Sequence, residues 1–284
     1  MGSALSLPPL DVPGLLRRYN LRPDKGLGQN FLVDMTALQR VVEVAGIETS
    51  DIVLEIGPGL GNLTRLLAVR ARQVTAVEVD PDLIPPLMEV LAPFANVQVV
   101  QSDILALDPA QLMKEPGYQV VANIPYNITS ALIRHLLEAR NKPTRITMTV
   151  QREVAERICA SPGKLSLLAL SVQVYGKPVM AARIQAEAFY PVPKVDSAVV
   201  RIDLSPQPLI PNPLLPIFFR LAKAGFSQKR KTLRNALAGG MRWTPAQAAN
   251  MLLAAGIDPQ RRAETLNLEE WSRLTEYYEG QSQK

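Results

Sequence analysis

Between residues 52 and 150 the chain alternates short runs rich in Val and Ile with segments of helical apolar spacing, and few folds can absorb that alternation. Strand-like runs at 52–56, 74–79, 97–100, 120–122 and 146–150 are interleaved with helical patterns at 63–70 and 83–91. Helices recurring between strands have to cover the faces of a sheet, and the strands they connect then run parallel. Pro81 directly after Asp80 marks a capped, proline-started helix. After Val150 the pattern changes. Runs at 177–184 and 197–204 read as two strands joined through the proline-rich turn 189–193, placed to close the sheet antiparallel.

Residues 205–216 hold five prolines in twelve, which stops both a helix and a central strand and marks a boundary. The expected organisation is an α/β domain over 1–205 and a small all-helical domain over 206–284, with helices at 215–224, 229–238, 245–255 and 268–278. Thr244-Pro245-Ala246-Gln247 has the form of a capping box, Gly256 the form of the matching stop, and Asn267 with Glu270 repeats the start signal. The N-terminal arm through Lys25 is proline-bearing and mildly basic, and reads as a segment that a partner orders. No apolar run reaches the roughly 20 residues of a membrane span, and no leader resembling a signal peptide is evident. The expectation is a cytoplasmic protein, monomeric, with no membrane partner.

The chain has one histidine and one cysteine. Zinc sites and most nucleophile–base pairs need more of these residues, so no metal site is expected. His135 falls in a helical pattern with Leu132, Ile133, Leu136 and Leu137 and reads as a boundary residue, while Cys159 reads as a small core hydrophobe. The net charge of +5 is unevenly spread: residues 204–257 contain no Asp or Glu but include Arg220, Lys223, Lys229, Arg230, Lys231, Arg234 and Arg242. A surface that tracks a phosphate backbone segregates charge in this way. Lys223, Lys229, Arg230, Lys231 and Arg234 are therefore candidate nucleic-acid-binding residues.

Glu55-Ile56-Gly57-Pro58-Gly59-Leu60-Gly61 follows a strand and opens a helix, the place where an open α/β sheet binds ligands. The glycines run G-x-G-x-G rather than G-x-G-x-x-G, and Pro58 removes an amide donor, so a dinucleotide pyrophosphate is a poor match. Glu78 ends the second strand and can take both hydroxyls of a ribose. Asp103 follows the third strand and can accept from an adenine amino group. Asn123-Ile124-Pro125-Tyr126 follows the fourth. The Asn side-chain oxygen and the next carbonyl can accept both hydrogens of an exocyclic amine, proline has no N–H to compete, and the aromatic ring can stack on a base. Gly57, Glu78, Asp103 and Asn123 at successive strand ends thus suit an adenosyl cofactor beside an acceptor amine.

At these residues the sequence resembles the ribosomal RNA adenine N6,N6-dimethyltransferases that modify the small subunit. Gly28-Gln29-Asn30-Phe31-Leu32, Glu55–Gly61, Val77–Asp80, Ser102-Asp103, Asn123–Asn127, Phe189–Ser197 and Phe226–Asn235 carry the resemblance, in order, over about residues 22–240. It implies a Rossmann-like class I methyltransferase sheet and contact of S-adenosylmethionine with Asn30, Leu32, Gly57, Glu78, Asp103 and Asn123. It implies further that Asn123 and the carbonyl of Ile124 position the target amine, with Pro125 in the same motif and Tyr126 and Phe189 flanking the base. The implied substrate is a pair of adjacent adenines in the last stem-loop of small-subunit ribosomal RNA, the partner being the assembling small subunit. Two alternatives remain at this point: a large-subunit adenine methyltransferase of the erythromycin-resistance type, and a non-catalytic RNA-binding assembly factor on the same fold.

Overall fold

The computed structural model describes residues 7–124 and 128–282, and the chain divides into two compact units. The first runs to Ala155 and takes up Val179–Leu204. The second comprises Glu156–Pro178 and the chain from Ser205 onward. A single cut at 205/206 therefore misses one piece of the helical unit. Residues 156–178 lie between sheet strands in sequence, yet the backbone amides of Gly163 and Leu165 bond to the carbonyl of Glu264, and the amides of Ser205 and Leu209 bond to the carbonyls of Tyr175 and Val174. Such long-range bonds leave no local sequence signal.

In the first unit α1 (Val12–Arg18), β1 (Phe31–Leu32) and α2 (Met35–Ala45) precede the alternating core. That core is β2 (Ile52–Ile56), α3 (Asn62–Ala68), β3 (Gln73–Glu78), α4 (Ile84–Leu91), β4 (Val97–Gln101), α5 (Pro109–Leu112), β5 (Gln119–Asn123), α6 (Thr129–Glu138) and β6 (Arg145–Gln151). Along the chain then follow α7 (Arg152–Ile158), which runs into the second unit, α8 (Leu167–Gln173), which lies in it, and the strands β7 (Gly176–Ile184), β8 (Phe189–Tyr190) and β9 (Ser197–Leu204). The main sheet has the order β4-β3-β2-β5-β6-β9-β7. Strands β4 to β6 are mutually parallel and β9 joins β6 antiparallel. This is the Rossmann-like α/β architecture expected. Every residue of β2 is buried, as a central strand covered on both faces requires. Leu38, Val41, Val42 and Ala45 form the apolar stripe of α2 and pack with Leu63, Leu66 and Leu67 of α3, the i, i+3, i+4 spacing of a half-buried helix.

From Val12 onward the N-terminal arm is packed within its own unit. Asp11 caps α1 by accepting from the Gly14 amide, Pro13 sits in the first turn where it costs no bond, and Val12, Leu15 and Leu16 bury themselves against Phe31, Leu60 and Leu83. Arg18 and Tyr19 both reach Glu89 of α4, at 2.6 and 2.5 Å. Proline and glycine at the head of the segment obscured a short amphipathic helix. Within the turn expected at 189–193, β8 pairs antiparallel with β1, Phe31 opposite Tyr190 and Leu32 opposite Phe189.

The second unit carries α9 (Leu215–Phe226), α10 (Leu233–Met241), α11 (Pro245–Ala254) and α12 (Leu268–Ser282). The capping box at Thr244 and Gln247 is formed in both directions, and Asn267 and Glu270 exchange the same pair of bonds. Helix α10 starts at Leu233 rather than at 229. Lys229, Arg230 and Lys231 lie in an exposed turn where the Lys231 amide bonds to the Gln228 carbonyl, since three adjacent like charges gain nothing from helical stacking. Among the described residues no helix is long and apolar enough to cross a membrane.

Candidate active site

The strand order reverses between β2 and β5, since β3 and β4 lie on one side and β6 on the other. In an open α/β sheet the crevice outside the carboxyl ends of two such strands is where ligands bind. Here it is a cavity of about 240 Å³. The backbone after β2 approaches β5 closely: a Cβ on Gly57 would stand 3.6 Å from the carbonyl oxygen of Asn123, and Gly57 has φ +70°. Gly59, at φ +58°, lies under Phe31, whose ring would be 2.9 Å from an added Cβ. The two glycines thus keep the turn open above and let the β1 segment close over it.

Asn30, Leu32, Gly57, Glu78, Asp103, Asn123, Ile124 and Phe189 all contribute to the wall of this one cavity. Pro125 and Tyr126 lie outside the described residues. Glu78 is 5 % exposed, and its two oxygens are held by backbone donors: Oε2 accepts from the Gly59 amide at 2.9 Å, and Oε1 from the amides of Val79 and Asp80 at 2.9 and 3.0 Å. Burial pushes its carboxyl up, opposed by those three bonds, with the Asp80 charge adding a further upward push. Asp103 is exposed and turns one oxygen to the Leu105 amide at 2.9 Å.

Asn123 donates from Nδ2 to the carbonyl of Asn30 at 3.1 Å, and the side-chain amide of Asn30 donates in turn to the Gly28 carbonyl at 3.1 Å. With its nitrogen committed, the Asn123 amide offers its oxygen as the remaining polar end. The loop carrying Asn30 is itself stapled, because Gln29 donates to Asp80 at 2.5 Å and accepts from the Asp24 amide at 2.8 Å. Asn62 holds the other flank by donating to the Leu32 carbonyl at 2.7 Å.

Two features of the wall escaped the sequence. Glu55 is 1 % exposed, with Oε2 buried and unpartnered and the unpartnered hydroxyl of Thr64 beside it. Burial raises its carboxyl to about 8, only partly offset by Thr64, and the Glu78 charge raises it further. The signal was a lone charged residue in the apolar run Ile-Val-Leu-Glu-Ile. Phe189 is only 2 % exposed and packs in the core with Leu32 and Leu38, so it lines the cavity as a wall rather than standing free beside it.

Three carboxyls and no Lys, Arg or His are found among the described lining residues. Asn62 Oδ1 is a buried acceptor with no donor, and Glu55 Oε2 is buried without a partner. Such a site suits a cation that brings its own N–H and O–H donors, and it would repel a pyrophosphate. S-adenosylmethionine, with a sulfonium, an ammonium, ribose hydroxyls and an adenine amine, fits that donor set.

The candidate RNA residues belong to the helical unit. Lys223 is exposed on the last turn of α9, Lys229, Arg230 and Lys231 are exposed in the following turn, and Arg234 is half-buried at the start of α10. None of the five takes part in an ion pair among the described residues.

Comparison with known proteins agrees with this chemistry. Residues 20–280 match the family described as ribosomal RNA adenine dimethylase. A relative named ribosomal RNA small subunit methyltransferase A from Dehalococcoides mccartyi (strain CBDB1) is 45 % identical over 268 residues, covering 94 % of this chain and 92 % of its own. A protein of the same name from Pelotomaculum thermopropionicum is 40 % identical over 283 residues, covering 95 % and 96 %. Among solved structures, the 23S rRNA methyltransferase ErmE aligns with a TM-score of 0.71 at 32 % identity, over 88 % of this chain and all of its own. A dimethyladenosine transferase from Plasmodium falciparum shares the fold, with a TM-score of 0.76 at 24 % identity over 89 % of this chain and 98 % of its own.

Proposed function

Because the chain belongs to the ribosomal RNA adenine dimethylase family, we propose that it dimethylates two adjacent adenines in the 3′-terminal stem-loop of small-subunit ribosomal RNA while that subunit assembles in the cytoplasm. The enzyme is an S-adenosylmethionine-dependent ribosomal RNA adenine dimethyltransferase. The small-subunit target is supported by the names of the curated relatives. The observation that carries the reading is the acceptor-rich, cation-free cavity at the β2/β5 reversal, with the Asn123 amide in its wall.

S-adenosylmethionine, when bound, supplies an electrophilic sulfonium methyl group. The residues answer a different difficulty, which is that the adenine N6 lone pair is delocalised into the ring. Asn123 Oδ1 and the Ile124 carbonyl accept the two amino hydrogens, which turns the nitrogen lone pair toward attack. The Asn123–Asn30 bond keeps the amide from rotating its nitrogen into that role. The gain is orientation and fixed electrostatics, without a strong general base. Glu78 would hold the ribose hydroxyls and Asp103 the adenine amine of the cofactor, with Asn30, Leu32 and Gly57 lining the same cavity. The resemblance assigns Tyr126, which follows Pro125 in sequence, to the target base, while Phe189 supports the pocket from the core. Lys223, Lys229, Arg230, Lys231 and Arg234 hold the phosphate backbone.

Transfer of labelled methyl groups to isolated small and large ribosomal subunits, followed by nucleoside analysis, tests the proposal. N6,N6-dimethyladenosine in the small subunit is the expected product. Label confined to the large subunit would move the assignment to the erythromycin-resistance type, and binding without transfer would make the chain an assembly factor.

A further inference from the structure

The chain has two tryptophans with opposite placements. Trp271 is fully buried and stacks on Phe226, ring centroids 6.0 Å apart, as a core indole should. Trp243 is half-exposed in the connection between α10 and α11. Its ring lies against Tyr278 of α12, centroids 5.4 Å apart and planes tilted by 35°. Arg220 of α9 completes the group: its guanidinium carbon is 5.1 Å from the centre of the Tyr278 ring and its Nη2 donates to the Tyr278 hydroxyl at 2.5 Å. Helices α9 and α12 and the α10–α11 connection thus converge on a half-exposed aromatic pair clamped by a cation.

Its surroundings are basic. Arg242, immediately before Trp243, is exposed and held in the left-handed region at φ 59°, ψ 38°, where the end of a helix normally places glycine. Lys223 is exposed less than one turn along α9 from Arg220. Arg220, Lys223, Arg242 and Trp243 all fall within residues 204–257, which contain no acid. None of the three cations is in an ion pair among the described residues. The nearest carboxylates in sequence to Tyr278 are Glu276 and Glu279 of α12, and Glu276 accepts from the Ser272 hydroxyl.

We propose that Trp243 and Tyr278, held by Arg220, form a stacking platform for an unpaired nucleobase of RNA, with Arg242 and Lys223 on its flanking phosphates. Half-exposed aromatic rings edged by cations that make no ion pair among the described residues match the alternation of base and phosphate along a single strand, and each stacked base contributes substantially to such binding. The platform is made of other residues than the basic turn at 229–231, and it answers the unpaired part of the substrate rather than the duplex. It rests on the ribosomal RNA reading above.

The test uses the full chain and two labelled RNA oligonucleotides of equal length, one single-stranded and one duplex. Trp243→Leu keeps apolar bulk but removes the ring face, while Trp243→Phe keeps a ring. Trp243→Leu should weaken single-strand binding roughly 5- to 100-fold, leave duplex binding and S-adenosylmethionine affinity within twofold, and be largely rescued in Trp243→Phe. Thermal melting run alongside shows the folded fraction, and Tyr278→Leu gives an independent measure should Trp243→Leu fold poorly. Unchanged single-strand affinity in the folded variants would overturn the platform, as would equal losses on both RNAs. Wild-type methyl transfer to small subunits, measured in parallel, separates the two ideas. Transfer combined with an indifferent Trp243→Leu sinks the platform alone, whereas a wild type that neither binds RNA nor transfers methyl sinks both.

Discussion

Glu55→Gln should stabilise the free protein in alkaline solution and leave it nearly unchanged in acid. The carboxyl sits in the central strand β2 at 1 % exposure, with one oxygen unpartnered, and burial carries it from the ordinary 4.5 to about 8. The unfolded chain therefore gives up this proton near the lower value and the folded chain near the higher. Between them the folded state binds the extra proton, so stability falls as pH rises, and above about 8 the loss is complete and constant. At 1.36 kcal/mol per pH unit the full effect is on the order of 5 kcal/mol, roughly 3 of which has accrued by pH 7. Glutamine resembles the neutral acid in shape and cannot ionise. Apart from that of Glu78, whose charge is coupled to Glu55, the other titrations are common to the two proteins, so the difference between them reports chiefly this group.

The assay is urea unfolding of wild type and Glu55→Gln, without cofactor, at pH 5, 7 and 9. The midpoints should nearly coincide at pH 5 and separate progressively in favour of the variant. Midpoints that keep a constant offset across the range would mean that Glu55 is already ionised in the fold, with water or a neighbour supplying the missing partner, and the reasoning from burial would be refuted.

Phe189→Ala should cost about 3–5 kcal/mol of stability, because a fully packed ring leaves a cavity between β1 and the core; a change below 1 kcal/mol in denaturant titrations, with RNA kinetics altered instead, would restore the base-flanking role. Asn123→Ala should leave S-adenosylmethionine affinity close to normal while lowering turnover by orders of magnitude, and single-turnover kinetics near wild type would remove Asn123 from the chemistry. Glu78→Ala should weaken the cofactor by about 1–3 kcal/mol by calorimetry, since a hydroxyl loses its buried acceptor; an unchanged dissociation constant would refute that placement. Neutralising Lys229, Arg230 and Lys231 should reduce the log–log salt dependence of RNA binding by roughly 0.7–0.9 for each phosphate that no longer meets a cation, and an unaltered slope would show these side chains to be merely solvated.

What could be read from the sequence was whatever depends on local repetition. The five parallel strands announce themselves because they are runs rich in Val and Ile, with helical spacing recurring between them, and the strand-end residues Gly57, Glu78, Asp103 and Asn123 follow from where those runs stop. The cover of the site obeys no such period. Strands β1 and β8 are two residues each, too short for alternation to register, and they exist because Phe31 and Leu32 find Tyr190 and Phe189 far along the chain. That pairing turns Phe189 inward. A motif read linearly places an aromatic beside the substrate, whereas the pleat of a two-residue strand decides which of Phe189 and Tyr190 is buried, and it leaves Tyr190 38 % exposed. The same dependence explains the N-terminal arm: α1 is held by Phe31, Leu60 and Leu83, so its order follows from β1 and the glycine turn rather than from its own seven residues. If the chain from Val12 to Leu32 is one cover anchored at Phe31 over Gly59, then Phe31→Ala should loosen both α1 and the cavity wall together. Hydrogen exchange would show this as faster exchange at the amides of Leu15, Tyr19 and Leu21, which bond within or next to α1, alongside weaker S-adenosylmethionine binding. Loss of cofactor affinity with α1 still fully protected would mean that the helix stands by itself and that only β1 closes the site.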